Sequence, residues 1–391
     1  MPDGREALII KVIPSLQDVP AVDWDACVEH QHPFARHSFL SALEDSGSAS
    51  TDSGWMAQHL IIEDPAGGLL AAAPLYLKNH SYGEYVFDWG WADAYERAGG
   101  RYYPKLQCAI PFTPVTGARF LTRTDLSDEQ KTELRRTLAA GMVQLAEQLK
   151  VSSLHITFAT KTEWRDLGSI GLLQRVGQQF HWENRGYETF NDFLGDLTSR
   201  KRKAIRKERD AVAKKELAIQ ALSGDEIEER HWDAFYQFYL ATSDKKWGQS
   251  YLNREFFSLL GKRLGEQVVL IIVEDGGHLV AGALNLKDDH TLYGRNWGSL
   301  ASHKFLHFEA CYYQAIDYAI AHGLQRVEAG AQGPHKLQRG YMPTETYSAH
   351  WIADPGLKDA IDDFLRHERR AIQAEITGLG NNSPFRDASN D

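Results

Sequence analysis

The sequence predicts a duplicated α/β fold, with two copies of one unit placed one after the other along a chain of 391 residues. Three observations lead to this prediction. Short segments recur at a nearly constant spacing, both copies share one order of apolar strands and amphipathic helices, and the composition is that of a globular protein. Hydrophobic residues make up 43% of the chain and charged residues 25%, which is enough apolar material for sizeable cores. The length also exceeds one ordinary domain of roughly 150 residues.

The repeat consists of four pairs of matching segments at offsets of 208 to 210 residues. The first pair is the tripeptide Trp-Asp-Ala, and the others include apolar strands and a Trp-Gly dipeptide. In chain order, the pairs are 24–26 with 232–234, 60–64 with 270–275, 75–78 with 284–287, and 89–90 with 297–298. Because the order is the same in both halves, we predict two domains, residues 1–185 and 186–391.

Hydrophobic periodicity predicts the same elements in each copy: an amphipathic helix, two apolar strands joined by a Gly-rich turn, a third strand, a long helix and a further strand. The first long helix begins with a capping box formed by Ser127 and Gln130. The predicted strands cover 58–63, 69–77, 85–89 and 153–158 in the first copy, and 268–274, 279–286, 291–297 and 326–330 in the second, where the long helix covers 308–322. This order is that of the GNAT acyltransferase fold. We therefore predict an α/β protein with two GNAT-like copies, in which mixed, mostly antiparallel sheets are flanked by helices.

Cysteine content, hydropathy and charge exclude several classes of protein. Three widely spaced cysteines argue against a disulfide framework and a CxxC metal site. No apolar run approaches the ~20 residues of a membrane helix, and the N-terminal segment lacks the apolar core of a secretory signal. We therefore expect a cytoplasmic protein without membrane insertion. The net charge of −10 also argues against a surface that binds nucleic acid throughout.

One segment departs from this acidic character. Residues 199–216 contain nine Lys and Arg against three acidic residues, a local net charge of +6, and they predict a basic helix near the start of the second domain. Arg202, Arg206 and Arg209 fall on one face of that helix, and the pattern lets Leu197, Ile205 and Val212 face the protein. Such a stripe suits the phosphates of a tRNA acceptor stem, or the diphosphate of a nucleotide- or lipid-linked precursor. The alternative is a solvated helix that only balances an acidic protein.

A polar segment of the second copy, residues 303–309, is a candidate for the chemistry. His307 or Glu309 is suited to accept the proton of an attacking ammonium group. The alternative is that the histidines cap a helix or lie in the core. Two histidines one turn apart also suggest a metal, but no further ligand follows at a recognisable spacing, so we expect no metal site.

A second polar segment follows a predicted strand and contains a Gly-rich turn. It carries four candidate residues, Gln332, His335, Lys336 and Arg339. Lys336 or a backbone N–H would stabilise the oxyanion of an acyl transfer, and His335 joins Lys336 in the catalytic set. Gln332 and Arg339 are predicted substrate contacts, with Arg339 suited to a phosphate or carboxylate. A plain chain turn is the alternative.

Aromatic residues interleaved with charged ones form a further candidate surface. The candidates are Trp91 and Asp93 in the first copy and Arg295 in the second, which we expect to contact a sugar or peptide. Aromatic side chains that belong only to the core are the alternative.

Five strings extend over nearly the whole chain: 90–95 (GWADAY), 102–107 (YYPKLQ), 111–117 (PFTPVTG), 303–313 (HKFLHFEACYY) and 330–341 (GAQGPHKLQRGY). Together they resemble the FemAB-like family of peptidoglycan biosynthesis/recognition proteins within the GNAT superfamily. The resemblance implies a tandem GNAT fold. It also implies an enzyme that moves an amino acid from aminoacyl-tRNA to the amine of a cell-wall precursor peptide.

The identity of the donor stays open in the sequence. GNAT proteins that use acetyl-CoA usually carry an Arg/Gln-x-x-Gly-x-Gly/Ala loop for the pyrophosphate, and three partial matches here lack its last small residue. We expect no tightly bound cofactor and a donor that is either aminoacyl-tRNA, held by the basic helix, or acyl-CoA. The acceptor is the amine of a peptide or cell-wall precursor, and the second copy supplies the chemistry because its polar residues are denser. The alternatives are an acetyl-CoA-dependent N-acetyltransferase and a non-catalytic protein that recognises peptidoglycan fragments.

Overall fold

The computed structural model describes residues 8–246, 250–330 and 333–386 and divides the chain into two compact units. Unit 1 contains the chain up to Gly177 together with Thr346–Arg370. Unit 2 contains Gln178–Glu345 together with the chain from Ala371 onward. No helix within the described residues is both long and apolar enough to span a lipid bilayer.

Unit 1 contains eight strands before the chain leaves it, in two sheets. They are β1 (Ile10–Ile13), β2 (Trp55–Ala57), β3 (His59–Glu63), β4 (Leu69–Ala73), β5 (Leu75–Lys78), β6 (Lys105–Cys108), β7 (Leu121–Thr122) and β8 (Ser153–Ala159). One sheet has the order β1-β3-β4-β7 and is antiparallel. In the other, β2, β5 and β6 are antiparallel neighbours, and β6 pairs with β8 in parallel.

The helices of unit 1 cover the apolar faces of these sheets. They are α1 (Ala21–Asp25), α2 (His37–Asp45), α3 (Trp89–Arg97), α4 (Asp128–Gln148) and α5 (Lys161–Ser169). Helix α4 begins at the predicted capping box of Ser127 and Gln130. Its buried Leu134, Leu138 and Met142 recur about once per turn and pack into one core with strands β3 to β6 and β8.

Unit 2 repeats this plan. Its helices are α6 (Phe190–Asp196), α7 (Ser199–Ala213), α8 (Glu229–Lys246), α9 (Arg254–Leu264), α10 (Leu306–Phe308) and α11 (Gln314–Ala321). Strand β9 (Leu173–Glu183) leads into the unit, followed by β10 (Ala218–Leu222), β11 (Val268–Asp275), β12 (His278–Lys287), β13 (Thr291–Ser299) and β14 (Arg326–Glu328). The spatial order is β10-β11-β12-β13-β14-β9. Only the β13–β14 pair in this series is parallel.

A third segment of the chain returns to unit 1, and here the structure differs from the predicted division at residue 185. Strand β15 (Met342–Ile352) pairs antiparallel with β8 from Tyr347 onward, and the following helix α12 (Pro355–Gly380) begins in unit 1. Ile361 and Leu365 of α12 pack into a cluster with Trp91. Strand pairing and apolar burial therefore recruit residues 346–370 into the first unit, which a linear cut of the sequence does not anticipate.

Two predicted strands of the first copy have a different structure. The apolar run from Leu69 to Leu77 is divided into β4 and β5 at Pro74, as expected because proline cannot donate a ladder hydrogen bond. The predicted third strand at 85–89 is a loop that enters helix α3 at Trp89. Its alternating aromatic pattern was misleading because tertiary contacts to the Glu84 and Asp88 side chains hold this segment as a loop.

Those contacts belong to a buried network of charged groups in unit 1. The Lys105 ammonium is fully buried and donates to Glu84 (2.7 Å), to Ser81 (2.8 Å) and to Asp88. Burial raises the pKa of Glu84 to about 7, whereas the pKa of Asp88 is lowered despite its burial because Lys105 lies beside it. Lys105 thus compensates two carboxyl groups that no solvent reaches.

We predict that Lys105→Met lowers the free energy of unfolding by about 3–5 kcal/mol, because it removes the cation that is hydrogen-bonded to both buried carboxyl groups, Glu84 and Asp88. Urea unfolding monitored by tryptophan fluorescence measures this loss. Lys11→Met is the control, since Lys11 and its partner Glu63 are exposed and a change within about 0.5 kcal/mol is expected there. Equal losses in the two variants would contradict the role assigned to Lys105.

Candidate active site in unit 2

The central feature of unit 2 is the separation of two parallel strands. Strands β13 and β14 pair from Thr291 with Arg326 to Tyr293 with Glu328, where β14 ends. Strand β13 continues to Ser299 and stays paired with β12 on its other side. Among the described residues, this part of β13 has no strand partner on the side of β14. We call this stretch of β13, which no described strand pairs on the side of β14, the open edge of β13.

The local sequence explains how the strands separate. In the β12–β13 ladder, Asn285 pairs with Gly294 and Leu284 pairs with Asn296, so Arg295 is an extra residue in a β-bulge. A Cβ atom on Gly294 would lie only 3.1 Å from the Glu328 carbonyl oxygen, so this close approach favours glycine. Gly330 has a φ of +77° just beyond β14 and turns the chain away. The predicted substrate residue Arg295 thus lies at the opening.

A helix with an irregular turn follows the open edge. Helix α10 passes into a π-helical turn, Glu309–Tyr313, and then into α11. The sequence predicted one regular helix over 308–322, and its 3.6-residue period cannot reveal the extra residue of a π turn. The turn buries Glu309, Tyr312 and Tyr313 together.

Both predicted catalytic histidines, His307 and His335, lie on one side of this turn. The Tyr312 hydroxyl and His335 Nε2 are 2.9 Å apart, and the ring centroids of His307 and Tyr312 are 5.4 Å apart. The rings of His307 and His335 are 6.3 Å apart. The Arg339 guanidinium lies 3.5 Å from the ring centroid of Phe308, which belongs to the same group. We call these five residues the histidine–aromatic cluster.

Lys336 is buried at the end of β14. Its side chain is almost fully buried, and Nζ donates to the Gly330 carbonyl oxygen at 2.8 Å. Burial lowers the pKa of Lys336 to about 7. This amine therefore changes its charge in the neutral range, where it is suited both to donate to an oxyanion and to exchange a proton.

Glu328, the last residue of β14, is buried in the same region of unit 2. Burial raises the pKa of Glu328 to about 8 and lowers the pKa of His181, whose Nε2 lies 3.8 Å from the carboxyl group, to about 3. Near pH 7 both groups are therefore mostly uncharged, and their contact is not an ion pair. Within the described chain, Glu328 Oε2 has no hydrogen-bond partner.

On the other side of the π turn, the basic helix α7 is joined to it by ion pairs. Arg209 donates to Glu309 (3.0 Å) and to Asp317 (2.7 Å), and its guanidinium lies over the Phe190 ring. Gln314 also donates to Glu309, at 2.8 Å. Glu309 is thus held by a cation and an amide, an arrangement that suits a positioning residue better than a proton acceptor.

Glu208, the residue before Arg209 in α7, makes a second connection. Glu208 accepts from Arg339 at 2.9 and 3.0 Å and also from the Tyr313 hydroxyl. Arg339 in turn donates to the His335 carbonyl oxygen at 2.8 Å. Through this path α7 is linked to the turn that carries His335 and Lys336.

The exposed face of α7 carries the other two predicted anion-binding residues. Ile205 and Val212 are buried, as the helical pattern predicted. Arg206 is exposed and Arg202 is partly exposed, and neither makes an ion pair within the described part of the chain. Arg209 differs from them because its charge is already compensated by Glu309 and Asp317.

The remaining predicted residues lie elsewhere. Trp91 belongs to the core of unit 1, where its ring centroid is 4.9 Å from that of His350 and the Arg175 guanidinium lies 5.2 Å from it. Asp93 is exposed on α3 of the same unit. Gln332 lies outside the described residues. The structure thus brings together His307, Glu309, His335, Arg209 and Arg339 around the π turn, with Lys336 next to His335 in sequence. Arg295 lies in β13 of the same unit, whereas Trp91 and Asp93 lie in unit 1.

Sequence reasoning missed Glu208 and Tyr312. Glu208 stood out only as an acidic interruption of a basic run, although a carboxylate within such a run is a usable sign of tertiary ion pairing. Tyr312 was hidden because the π turn alters which residues of a helix share a face.

Comparison with solved structures identifies similar folds. The crystal structure of FemX has 13% sequence identity, covers 88% of this chain and 98% of that chain, and has a TM-score of 0.54. L-PGS from Bacillus licheniformis has 9% identity, covers 84% of this chain and 96% of that chain, and has a TM-score of 0.50. The C-terminal domain of a putative lysylphosphatidylglycerol synthetase from Agrobacterium fabrum has 9% identity, covers 83% and 95%, and also has a TM-score of 0.50. At these identities the similarity shows a shared fold.

A comparison with curated proteins found no significant match. The predicted tandem GNAT-like fold is nevertheless confirmed, with mixed sheets flanked by helices in both units. A model of one protein family, described as peptidoglycan biosynthesis/recognition, matches residues 15–387, which is nearly the whole chain. The protein therefore belongs to the FemAB-like family.

Proposed function

We propose that unit 2 transfers an acyl or aminoacyl group from an activated ester to an amine on the peptide of a cell-wall precursor. One observation carries the proposal. A lysine with a pKa near neutrality is buried where β13 and β14 separate, on the same short turn as His335, which contacts the Tyr312 hydroxyl. The open edge of β13 gives an extended acyl or aminoacyl group a place to bind.

The reaction proceeds in two steps. The acceptor ammonium first loses a proton, and the nitrogen lone pair then forms a C–N bond with the carbonyl carbon of the donor. The carbonyl oxygen becomes an oxyanion in the tetrahedral intermediate. When the intermediate collapses, the nitrogen gives up its second proton, the ester C–O bond breaks and the leaving oxygen takes up that proton, which yields an amide and an alcohol.

Four residues have a role in this scheme: Lys336, His335, Tyr312 and Glu309. Lys336, in its ammonium form, donates to the oxyanion. His335 accepts the proton of the acceptor ammonium, and Tyr312 orients its ring through the 2.9 Å contact with Nε2. Glu309 acts through Arg209 as a positioning residue, because both groups are held in the ion-pair network between α7 and the π turn.

The exposed face of α7 is the proposed site for the anionic part of the donor. Arg202 and Arg206 present guanidinium groups that match phosphate geometry. An aminoacyl-tRNA supplies several phosphates in a row and an activated aminoacyl ester at its end, so it fits both the helix and the chemistry. Acyl-CoA is the other donor that a GNAT-like unit accepts, and the mass of the product distinguishes the two.

The test incubates the purified protein with a UDP-linked muropeptide and either charged total tRNA or acetyl-CoA, and mass spectrometry reads the acceptor. A mass increase of one amino acid with charged tRNA supports the proposal. An acetyl increase with acetyl-CoA alone would identify a conventional N-acetyltransferase. Saturable binding of the muropeptide without either product would identify a recognition protein and overturn the proposed transfer.

We predict that Lys336→Met lowers kcat by about 10²- to 10³-fold, the typical cost of removing one oxyanion donor. Because the pKa of Lys336 is lowered to about 7, its ammonium form is lost as the pH rises above neutrality, and the wild-type rate should fall there. Lys336→Arg should move this fall to higher pH, since a guanidinium stays charged up to about pH 12. Rates measured between pH 5 and about 9 test both statements.

A stability measurement separates chemistry from folding. The native protein binds the Lys336 proton less tightly than the unfolded chain, in which the pKa is near its usual value of 10.5. The free energy of unfolding should therefore rise as the pH increases from about 7 toward 10, and Lys336→Met should lack this part of the rise. An unchanged pH profile of both activity and stability in Lys336→Met would contradict the burial and the role of this amine.

We predict that the double variant Arg202→Ala/Arg206→Ala weakens binding of charged tRNA without unfolding the protein. For each phosphate that the variant no longer neutralises, the slope of log K against log salt should fall in magnitude by about 0.7–0.9. The matched control is Lys214→Ala/Lys215→Ala, which removes two exposed charges just beyond the C-terminal end of the same helix. If both double variants lower the affinity and the slope equally, the effect comes from net charge and not from a site at Arg202 and Arg206.

A further inference from the structure

The loop before α3 in unit 1 exposes three aromatic side chains beside one another. Tyr82 is 56% exposed, Phe87 is 46% exposed and Trp89 is 42% exposed. The Trp89 ring centroid is 5.9 Å from that of Tyr82 and 5.4 Å from that of Phe87. Neither contact is a face-to-face stack, so the rings do not cover one another's faces. Single exposed apolar residues are common, but a contiguous group of this kind marks a binding surface.

The same loop is anchored from below by buried cations. Lys78 donates to the Tyr82 carbonyl oxygen at 3.0 Å, and Lys105 donates to the side chains of Ser81, Glu84 and Asp88. Arg175 donates to the Phe87 carbonyl oxygen at 2.8 Å. The backbone of the loop is thus fixed beneath its exposed rings. A surface fixed in this way loses little conformational freedom when a ligand binds.

The chemistry of the rings favours an amphipathic ligand over a purely apolar one. Tyr82 has a hydroxyl group and Trp89 has an indole N–H, and neither group has a hydrogen-bond partner among the described residues. The surface therefore combines apolar ring faces with polar edges. A pyranose ring has the complementary form, with C–H groups on its face and hydroxyl or amide groups around its edge.

The charges next to the rings argue against a membrane surface as the occupant. Helix α3, which begins with Trp89, carries the exposed acidic residues Asp93 and Glu96 and one exposed basic residue, Arg97, so its net charge is negative. Interfacial segments that bind anionic lipids combine their aromatic residues with Lys and Arg. A neutral sugar meets no such electrostatic penalty.

We propose that Tyr82, Phe87 and Trp89 form a binding site for the amino-sugar portion of a peptidoglycan fragment. The choice of an amino sugar rests on the proposed function in cell-wall precursor metabolism, whereas the site itself rests on the geometry of the loop. The sugar face packs on the Trp89 ring, and the Tyr82 hydroxyl and the Trp89 N–H bind its polar edge.

The experiment is calorimetric titration of the full chain with the peptide-free disaccharide of N-acetylglucosamine and N-acetylmuramic acid, with its lactyl carboxyl amidated. We expect saturable binding that is weakened roughly tenfold or more in Trp89→Ala and in Tyr82→Ala, the loss typical of truncating an aromatic anchor. Leu149→Ala is the matched control because Leu149 is 41% exposed just after helix α4, outside the aromatic group, and it should bind like the wild type. Thermal unfolding checks that the variants are folded.

Several results would overturn the sugar site. The first two are that the wild type does not bind the disaccharide, and that the wild type and both aromatic variants bind it equally. The other two are that Trp89→Ala and Tyr82→Ala lose binding to anionic phospholipid vesicles, or lose a dimer that the wild type forms. The last two would instead identify a membrane surface or a second copy of the chain as the occupant. Binding of the disaccharide by a protein that transfers nothing would overturn the proposed transfer and leave the sugar site standing.

Discussion

The separation of β13 from β14 is the constraint on which the candidate active site depends. Parallel strands normally stay paired because each unpaired backbone group in a sheet costs a hydrogen bond. Here the glycines at 294 and 330 and the bulge at Arg295 release β13 from its partner just after Glu328. The buried Lys336 then bonds to the Gly330 carbonyl oxygen, so the turn that supports the opening also contains the titratable amine.

A second constraint is that buried charges need partners, and it determines how α7 is attached. Two neighbouring residues of this helix have different partners. Arg209 donates to the π turn and to α11, whereas Glu208 accepts from Arg339. One helix thus makes both sets of contacts: its buried side holds Glu309 and the His335 turn in place, and its exposed side carries Arg202 and Arg206. Under the proposed function, a polyanion bound on the exposed side would lie on an element that already contacts the proposed reaction centre.

Patterns along the sequence predicted the duplication, strands β11 to β14 of unit 2, the capping box of α4 and the buried face of α7, because each depends on local periodicity. Features created by tertiary contacts were not visible in this way. The loop at 85–88 has the aromatic alternation of a strand. Lys105, which is distant in sequence, nevertheless holds it as a loop through hydrogen bonds to the Glu84 and Asp88 carboxyl groups. Likewise, Trp91 resembled a ligand-binding residue, but it packs against His350 and against the cluster that contains residues of α12. These contacts form only because the chain returns to unit 1 after residue 345.

The two units differ in structure at matching positions of the repeat. The Trp-Gly pair at 89–90 matches the pair at 297–298 in sequence, but Trp89 begins a helix and is exposed, whereas Trp297 lies in strand β13 and contacts His307. At the equivalent place, unit 1 has a loop fixed by buried lysines and unit 2 has an open strand edge. A fixed aromatic loop suits recognition, and an open edge beside a titratable lysine suits transfer. The duplicated fold thus provides two surfaces with different chemistry from one repeated arrangement of elements.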